Sequence, residues 1–370
     1  MRGVTPTFLD EAQLRLRPVF ASAFAPLEVT QPPCDHASLV RALASLNIYP
    51  HLLSPSVRTL CVLREELAYR NPAADSVFAV QGLGSYPVQK AGTDSQKARF
   101  LDGVRDGKHL FAFALTEPEA GSDVASLTTA AVREGDSYVL RGHKRFISNA
   151  PVATHLTVFA RTSPGTKGIS AFVVPATAKA LRIVPTELLG DHPVGEVHFD
   201  SVRVGSDALL GQEGDGLKLA LGTLDVFRTT VGAAAVGMAR RALDEALSYA
   251  RTRKQFGAPL SELPAVQALL AESAVELEAA SLLVHKAAAH KDFGQERVTY
   301  EAAVAKLFAT EAAQRIIDRC LQIHGGQGVV RGHPLERLYR DVRALRIYEG
   351  ASEVQRLVIA RHLIAQEKRP

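Results

Sequence analysis

The spacing of hydrophobic residues divides the chain into a helical part, a strand-rich part and a second helical part. From about residue 8 to residue 109, apolar residues recur three and four positions apart, as at Leu60, Leu63 and Leu67, which is the period of an amphipathic helix. Because proline ends or kinks a helix, we expect several short helices here. The dividing prolines are Pro18, Pro26, Pro32, Pro33, Pro50, Pro55, Pro72 and Pro87.

After Leu110 the pattern changes to short apolar runs with alternating positions. Turns that contain glycine, such as residues 133–136 and 163–166, separate the runs. This arrangement is typical of strands joined by hairpins. The predicted strands cover residues 111–115, 137–140, 155–160, 169–174 and 197–199.

From Gly216 onward the helical period returns over longer stretches. Apolar stripes cover residues 217–247, 263–289 and 298–321, and a fourth lies near the end of the chain. Four long amphipathic helices are typical of a bundle. We therefore expect a mainly α protein with a central β-domain. Its parts are an N-terminal helical domain (1–110), a middle β-barrel or sandwich (111–212) and a C-terminal four-helix bundle (213–370).

Composition excludes several classes of protein. The 370 residues are 46% hydrophobic and 22% charged, an ordinary globular mixture that excludes a disordered or collagen-like chain. The net charge of +4 includes no run of five like charges, so we expect no nucleic-acid partner. No apolar run reaches the roughly 18 residues of a membrane span. The first residues lack the order of a secretory signal.

Cysteine usage points to a reducing compartment. Cys34, Cys61 and Cys320 are far apart and form no CxxC motif, which disfavours a disulfide framework or a thiolate zinc site. Together with the lack of a span or signal, this predicts a cytoplasmic protein. The twelve histidines include no HExxH motif, so no metal site is expected.

The string ALTEPEAGSD at residues 114–123 is the first candidate for chemistry. A predicted strand ends at Leu115, and the chain then turns through Pro118 and Gly121 with exposed backbone N–H groups and hydroxyls. Such a turn can bind an anion or a flat polar ring. A capped, hydrated loop is the alternative, and composition alone favours it. Residues 142–149 add an aromatic side chain and a hydroxyl at a second predicted strand end.

Two further features allow a structural or a functional interpretation. Gly325 and Gly326 follow a long predicted helix, where they either end the helix or let the backbone approach a phosphate or ring. Arg228 lies inside the apolar helix, and a surface arginine is the default. A buried one would need a carboxylate, which Glu349 or Asp225 could supply.

Glu349 is the candidate general base. It lies in the apolar stretch 345–350, just before Ser352 and Gln355, whose spacing fits a capping box. We therefore expect Glu349 on a short loop ahead of a helix. A carboxylate favoured by the helix dipole is one interpretation. Apolar neighbours would also raise its pKa, as a general base near neutrality requires.

Taken together, four segments in order resemble the acyl-CoA dehydrogenase family. Residues 114–126 are similar to its first signature, and residues 322–329 with Arg337 and Asp341 resemble the second. Residues 251–260 and 347–350 match two further family segments. The resemblance covers nearly the whole chain and implies the same three-part fold.

The resemblance implies FAD as cofactor and a homo-oligomer, either a dimer or a tetramer. Positions similar to the family's flavin contacts within one subunit are Phe113, Leu115, Thr116, Gly121, Ser122, Phe146 and Ser148. Ala351 and Glu353 are further cofactor-binding candidates, but they replace residues that often hydrogen-bond the flavin in the family, and a second acid near an anionic cofactor is unexpected. Positions that would reach the cofactor of the neighbouring subunit are Arg253, Phe256, Gln322, Gly325 and Gly326.

The implied reaction is α,β-dehydrogenation of an acyl-CoA. Glu349 matches the base of the short- and medium-chain branch and would remove the α-proton, while the β-hydrogen leaves as hydride to the flavin N5. The Glu349 backbone N–H and a ribityl hydroxyl would stabilise the enolate. Ser122, Asp225, Arg228 and Gly350 would contact substrate, with Arg228 holding the charge near the base. Electrons would pass to an electron-transferring flavoprotein.

Some positions depart from the family pattern, and several alternatives stay open. Phe146 stands where the family usually has tryptophan, Leu263-Pro264 replaces an aromatic-glutamine pair, and Gly332 replaces an acidic residue. The acyl group could be tethered to a carrier protein instead of CoA, or oxygen could accept the electrons. A flavin monooxygenase and a non-catalytic member are further alternatives. Acyl-chain length is undetermined, because it depends on how residues 80–86 and the helix after Gly216 pack.

Overall fold

The computed structural model describes residues 8–28, 35–295 and 297–366. The expected mainly helical fold with a central sheet is confirmed. The helices are α1 (Glu11–Ala23), α2 (His36–Ser45), α3 (Pro50–Leu53), α4 (Val57–Arg70), α5 (Pro72–Ala91), α6 (Asp94–Arg105), α7 (Gly216–Thr252), α8 (Pro264–Asp292), α9 (Thr299–His324), α10 (Pro334–Leu345) and α11 (Ser352–Gln366). The strands are β1 (Phe111–Ala114), β2 (Ala130–Glu134), β3 (Ser137–Ser148), β4 (His155–Arg161), β5 (Ile169–Pro175), β6 (Leu181–Pro185), β7 (Val194–Gly205), β8 (Leu209–Leu210), β9 (Lys254–Gln255) and β10 (Ala258–Pro259).

The sheet folds over on itself as a sandwich. Its strand order is β6-β7-β3-β2-β4-β5-β8, with β1 paired to β4. The two halves meet in a single residue pair, Ala130 with Arg161. The rings of Tyr138 on β3 and Phe172 on β5 lie 4.9 Å apart, although these strands are not neighbours in the sheet. Residues of both halves therefore share one hydrophobic core.

Strand prediction succeeded where both faces are buried. β1, β4 and β5 lie within one residue of the predicted bounds, and β4 and β5 are buried along almost their whole length. β3 and β7 are longer than predicted, because their exposed polar positions stay in the ladder that pairs them. β2, β6 and β8 were not predicted, since they are short or carry few fully buried residues.

Pro18 and Pro87 do not interrupt their helices, contrary to expectation. Pro50 and Pro72, by contrast, occupy the first turns of helices, where the missing N–H costs nothing. Pro18 lies inside α1 and Pro87 inside the 20-residue α5. Pro87 is itself buried, so packing of α5 outweighs one lost backbone hydrogen bond. Pro32 and Pro33 lie outside the described residues.

Of the three cysteines, Cys34 also lies outside the described residues. Cys61 and Cys320 are buried and form no disulfide.

One core joins the N-terminal helices to the bundle. Buried residues of α4 and α5 pack with those of α7, α8 and α9 in a single cluster. Among the described helices, α7 is long and apolar enough to cross a membrane by length and composition, but 78% of its most apolar window is buried inside the protein. Packing against neighbouring helices accounts for its apolar surface.

The closest approach of α4 to α7 depends on a glycine. A Cβ built on Gly237 of α7 would overlap the carbonyl oxygen of Glu65 on α4. Any larger residue would force the two helices apart and open the shared core. Gly222, on the same helix, has no atom within 4 Å of such a Cβ.

We predict that Gly237→Ala destabilises the fold and Gly222→Ala does not. Overlap with backbone should lower the free energy of unfolding by about 1–3 kcal/mol, whereas alanine at the open helical position should be neutral or stabilising. Denaturant unfolding followed by circular dichroism measures both. Equal effects of the two substitutions would contradict the close-packing argument.

Candidate active site

A cavity of about 160 Å³ lies where the sheet, α5, α7 and the loop before α11 meet. The turn after β1 and the end of β3 form one wall, and α4, α5 and residues 348–350 form another. Its lining residues are Arg64, Ser76, Ala79, Val80, Leu83, Phe113, Leu115, Thr116, Gly121, Val124, Phe146, Ser148, Leu224, Tyr348, Glu349 and Gly350. The sequence indicated the turn after β1, the end of β3 and Glu349, and the structure brings these three together around one cavity.

Glu349 lies on the loop between α10 and α11, as expected. Its φ of 52° is in the left-handed region, and Gly350 follows with φ 96°. A non-glycine residue in this conformation stores strain that the surrounding structure must overcome. The Oε2 atom of Glu349 is buried and has no hydrogen-bond partner among the described residues. The carboxylate is thus held in the cavity without being neutralised by a direct contact.

Three buried donors hold the backbone of this loop. The Gln355 amide and the Lys306 Nζ donate to the Gly350 carbonyl at 2.9 and 2.8 Å. Arg228 Nε donates to the Glu349 carbonyl at 3.2 Å. All three groups bind main-chain oxygens, which fixes the loop while the Glu349 carboxylate stays free.

The helix predicted after Glu349 is present, but the capping box is not formed. Ser352 is the first residue of α11, and its hydroxyl donates to Glu311 at 2.6 Å. Gln355 turns instead to the Gly350 carbonyl. The prediction was wrong because both side chains find partners in the loop and in α9 that sequence spacing does not reveal.

Burial dominates the electrostatics at Glu349. Loss of hydration raises its pKa, and the charges of Arg64, Arg228 and Lys306 act in the opposite direction. Burial also lowers the pKa of Lys306 to about 8, against the attraction of Glu349. A carboxylate with a raised pKa and no bound partner has the properties of a general base.

Arg228 is buried, with 8% of its surface exposed. Its Nη1 lies 3.4 Å from Asp225 Oδ1. The other oxygen of Asp225, Oδ2, accepts a hydrogen bond from the Thr299 hydroxyl at 3.3 Å. Of the two carboxylates anticipated as partners, Asp225 supplies the ion pair. Glu349 contributes its backbone carbonyl instead, because its side chain turns into the cavity.

The opposite wall fits a planar heterocycle with polar edges. Phe113, Leu115 and Phe146 supply apolar surface, and the Thr116 and Ser148 hydroxyls make no hydrogen bond to the described part of the chain. Unused donors beside an apolar wall are what a flat ring with carbonyl and nitrogen edges requires. Phe146 has φ 56° and lies 52% exposed at the end of β3, where a bound ring would cover it.

Other predicted site residues lie outside the lining of this cavity. Ser122 is exposed beside Gly121, and Asp225 and Arg228 stand behind the loop rather than in the cavity. Ala351 does not line it, and Glu353, 79% exposed, lies 3.5 Å from Arg356. The flavin contacts expected of Ala351 and Glu353 stay a prediction.

The residues expected to reach the cofactor of a neighbouring subunit do not line this cavity. The ring of Tyr249, near the end of α7, stacks on His324 at 4.3 Å, which brings Arg253 to the same end of the bundle as Gln322, Gly325 and Gly326. Gly325 has φ 57° and ends α9, so the helix-stop interpretation describes it within this chain. Phe256, between β9 and β10, is 94% exposed.

Sequence reasoning missed Arg64, Lys306 and the role of Gln355. A signal existed for the first two, because each stands on the apolar face of its helix. Arg64 follows Leu60 by four positions, and Lys306 follows Ala302 by four. A charge on a buried face requires a partner, but the pattern does not say which.

The structure also groups three possible metal ligands that no motif indicated. Ligand atoms of His143, Glu196 and His198 lie within 4.8 Å of one another on β3 and β7. Glu196 already accepts from His143 at 2.9 Å and pairs with Arg145 at 3.2 Å, which accounts for the group as an ion-pair network. The expected lack of a metal site stays a prediction.

Comparison with known proteins gives a consistent set of similarities. Residues 112–202 match the acyl-CoA dehydrogenase middle domain, and residues 214–364 match the acyl-CoA dehydrogenase C-terminal domain. Cyclohexane-1-carbonyl-CoA dehydrogenase of Geobacter metallireducens is 37% identical over 99% of this chain and 98% of its own. The caffeyl-CoA reductase-Etf complex subunit CarC of Acetobacterium woodii is 40% identical over 76% of each chain. The structure of butyryl-CoA dehydrogenase from Megasphaera elsdenii superposes with TM-score 0.89 and 32% identity, over 98% of this chain and 100% of its own.

We predict that Glu349→Gln stabilises the protein at pH 8 and that the gain shrinks as the pH falls. Because burial raises the pKa of Glu349 in the folded state, the ionised carboxylate costs stability above that pKa and costs nothing once it is protonated. Melting temperatures from pH 5 to 8, at matched flavin content, measure the difference. Glu353→Gln, at an exposed position, is the control and should change little. A gain that grows toward low pH would contradict the assignment.

Proposed function

The chain belongs to the acyl-CoA dehydrogenase family, and we propose that it removes the α- and β-hydrogens of an acyl thioester with Glu349 as the base. Enzymes of this family are oxidoreductases that act on CH–CH bonds, and their cofactor is FAD. One observation carries the proposal: the Glu349 carboxylate has an unpartnered oxygen and faces the wall formed by residues 113–124 and 146–148.

We assign the flavin ring to that wall. Phe113, Leu115, Thr116, Phe146 and Ser148 would hold it through apolar contact and the unused hydroxyls described above. When bound, FAD supplies the acceptor for the hydride that leaves the β-carbon. Gly121 lies in the same wall, and no atom stands within 4 Å of the Cβ position there, so this turn leaves room for a ring.

Glu349 removes the α-proton in this scheme. An α-proton beside a thioester is weakly acidic, so the base needs a raised pKa and the carbonyl oxygen needs a hydrogen-bond donor. The backbone N–H of Glu349 donates to no acceptor in the described residues and is the donor we assign to the thioester oxygen. An acyl chain in the cavity would exclude water and raise the pKa of Glu349 further.

Arg228 and Lys306 act as positioning residues. Each binds a carbonyl of the 349–350 pair, so they hold the strained loop in the conformation that presents the carboxylate and the N–H together. Their charges also limit the rise in the pKa of Glu349. Asp225 pairs with Arg228, and we assign it a contact with the pantetheine arm.

The partner proposed for electron transfer is an electron-transferring flavoprotein. The similar Acetobacterium woodii protein is a subunit of an Etf complex. Acyl-CoA is favoured over an acyl group on a carrier protein, since the relatives named above act on CoA thioesters by name. An unpartnered glutamate in the cavity disfavours the flavin monooxygenase and non-catalytic alternatives, which would not need it.

We also propose that the protein is a homo-oligomer, a dimer or a tetramer. Phe256 is exposed beside Arg253, and Val329 and Val330 are exposed shortly after Gly325 and Gly326; we propose that a second copy of the chain covers these apolar side chains. Arg253, Phe256, Gln322, Gly325 and Gly326 would reach the cofactor of the neighbouring subunit from there. Burial of Phe256 between subunits would account for its position at the end of a hairpin.

We predict that Glu349→Gln retains the flavin and loses at least about 10³-fold in the rate of flavin reduction. The amide keeps the size of the side chain and cannot accept the α-proton. Anaerobic stopped-flow spectroscopy with butyryl-CoA, following flavin absorbance, measures the rate. Glu278→Gln, at an exposed position of α8, is the matched control and should bleach normally. Normal bleaching by the Glu349 variant would place the base elsewhere, and a protein that cannot be loaded with FAD would exclude the proposed reaction.

We predict that Phe256→Ser lowers both FAD retention and oligomer mass on dilution. Loss of an apolar contact between subunits weakens the interface that would complete the cofactor site. The flavin-to-protein absorbance ratio and light scattering after gel filtration measure the two effects. Phe293→Ser, at another exposed phenylalanine, is the control. An unchanged mass and flavin ratio would contradict the proposed interface.

A further inference from the structure

We propose that this enzyme selects acyl groups that carry a hydrogen-bond acceptor oxygen beyond the reacting carbons, and that Arg64 binds this oxygen. The inference rests on the proposed function, because it assigns the part of the Glu349 cavity that would hold the acyl group. It concerns the lining formed by Arg64, Ser76 and Tyr348.

Arg64 is a charged side chain in the wall of the cavity that would hold the acyl chain. It lies on α4 with 1% of its surface exposed, yet it lines the cavity beside Glu349. A cavity for a plain alkyl chain would be expected to have apolar walls, since burial of a charge costs stability unless it is paired. The arginine therefore requires an explanation beyond packing.

Asp75 and Thr230 fix the guanidinium from behind. Nε and Nη2 donate to the two carboxylate oxygens of Asp75 at 2.8 and 2.7 Å, and Nη1 donates to Thr230 Oγ1 at 2.8 Å. Neither Asp75 nor Thr230 lines the cavity. The guanidinium thus stands between its partners and the cavity, in an orientation set by a bidentate pair.

Two donors of Arg64 are left over. A guanidinium has five N–H groups, and the described residues accept three of them. One N–H on each terminal nitrogen remains without an acceptor. Two adjacent donors on a planar group match a carboxylate or carbonyl oxygen, so the arginine is arranged to receive an acceptor.

The neighbouring polar groups are also donors. The hydroxyls of Ser76 and Tyr348 line the cavity and make no hydrogen bond to the described part of the chain. Ala79, Val80 and Leu83 form apolar wall beside them. An alkyl chain here would displace water from these donors and replace no hydrogen bond, whereas an oxygen-bearing chain would replace one.

Three substrates with five-carbon acyl groups test whether the enzyme prefers an acyl chain that carries an oxygen. Anaerobic flavin reduction by the holoenzyme is compared for pentanoyl-CoA, 4-oxopentanoyl-CoA and glutaryl-CoA. Because a hydrogen bond to a charged donor contributes about 10- to 100-fold in specificity, at least one oxygen-bearing substrate should exceed pentanoyl-CoA by that factor in kcat/KM. A preference for pentanoyl-CoA would overturn the inference.

Variants distinguish binding of the acyl oxygen by Arg64 from an effect of Arg64 on folding or on the pKa of Glu349. The double substitution Arg64→Met with Asp75→Asn removes both charges, so no buried charge is left unpaired. It should abolish the preference, because kcat/KM for the oxygen-bearing substrates falls by a larger factor than kcat/KM for pentanoyl-CoA. Arg58→Met with Asp292→Asn removes a second ion pair of α4, outside the cavity lining, and should keep the preference. If the Arg64 double variant loses its flavin, Ser76→Ala is used instead. This variant should lower the preference for the oxygen-bearing substrates only partially.

The outcomes distinguish this inference from the proposed function. Flavin bleaching by pentanoyl-CoA alone would overturn substrate selection by Arg64 and leave the dehydrogenation standing. Equal losses for all three substrates in the Arg64 double variant would overturn selection too, because they would show that Arg64 acts only through Glu349. Bleaching by none of the three, in a protein loaded with FAD, would overturn the proposed function itself.

Discussion

The site depends on how the carbonyl groups of residues 349 and 350 are bound. Donors from three helices, Lys306 of α9, Arg228 of α7 and Gln355 of α11, converge on these two oxygens. Because their hydrogen bonds go to the main chain, a residue with φ 52° is held in place while its carboxylate remains unpartnered. A direct ion pair would have fixed the loop equally well but would have lowered the pKa of the base and blocked its access to a substrate.

The site draws on the N-terminal helices, the sheet and the bundle. The base lies on the loop before α11, its backbone is bound from α7 and α9, and the opposite wall comes from β1 and β3. Arg64 and Asp75 add a paired charge from α4 and α5. Since the N-terminal helices and the bundle share one hydrophobic core, the spacing between these groups is set by packing, and close contacts such as that of Gly237 with Glu65 maintain it.

Charge balance is the second consequence of the same packing. Burial raises the pKa of Glu349, and Arg64, Arg228 and Lys306 oppose that rise without touching the carboxylate. Two of these cations have acidic partners of their own, Asp75 for Arg64 and Asp225 for Arg228. The site thus combines an unpartnered carboxylate with donors that stay available, which is what a dehydrogenation of an oxygen-bearing acyl group would need.

The sequence by itself determined the helical, strand-rich and helical order, the loop position of Glu349, and the two strand ends near Leu115 and Ser148, residues that line the cavity. Hydrophobic period and turn residues act over a few positions, so they are readable without a fold. Only the tertiary structure decided that Pro87 stays within α5, that Gln355 binds Gly350 instead of capping its helix, and that Arg64 and Lys306 face the site. Those outcomes depend on which groups the packed structure brings together, because a buried polar group is satisfied by whatever packing places near it.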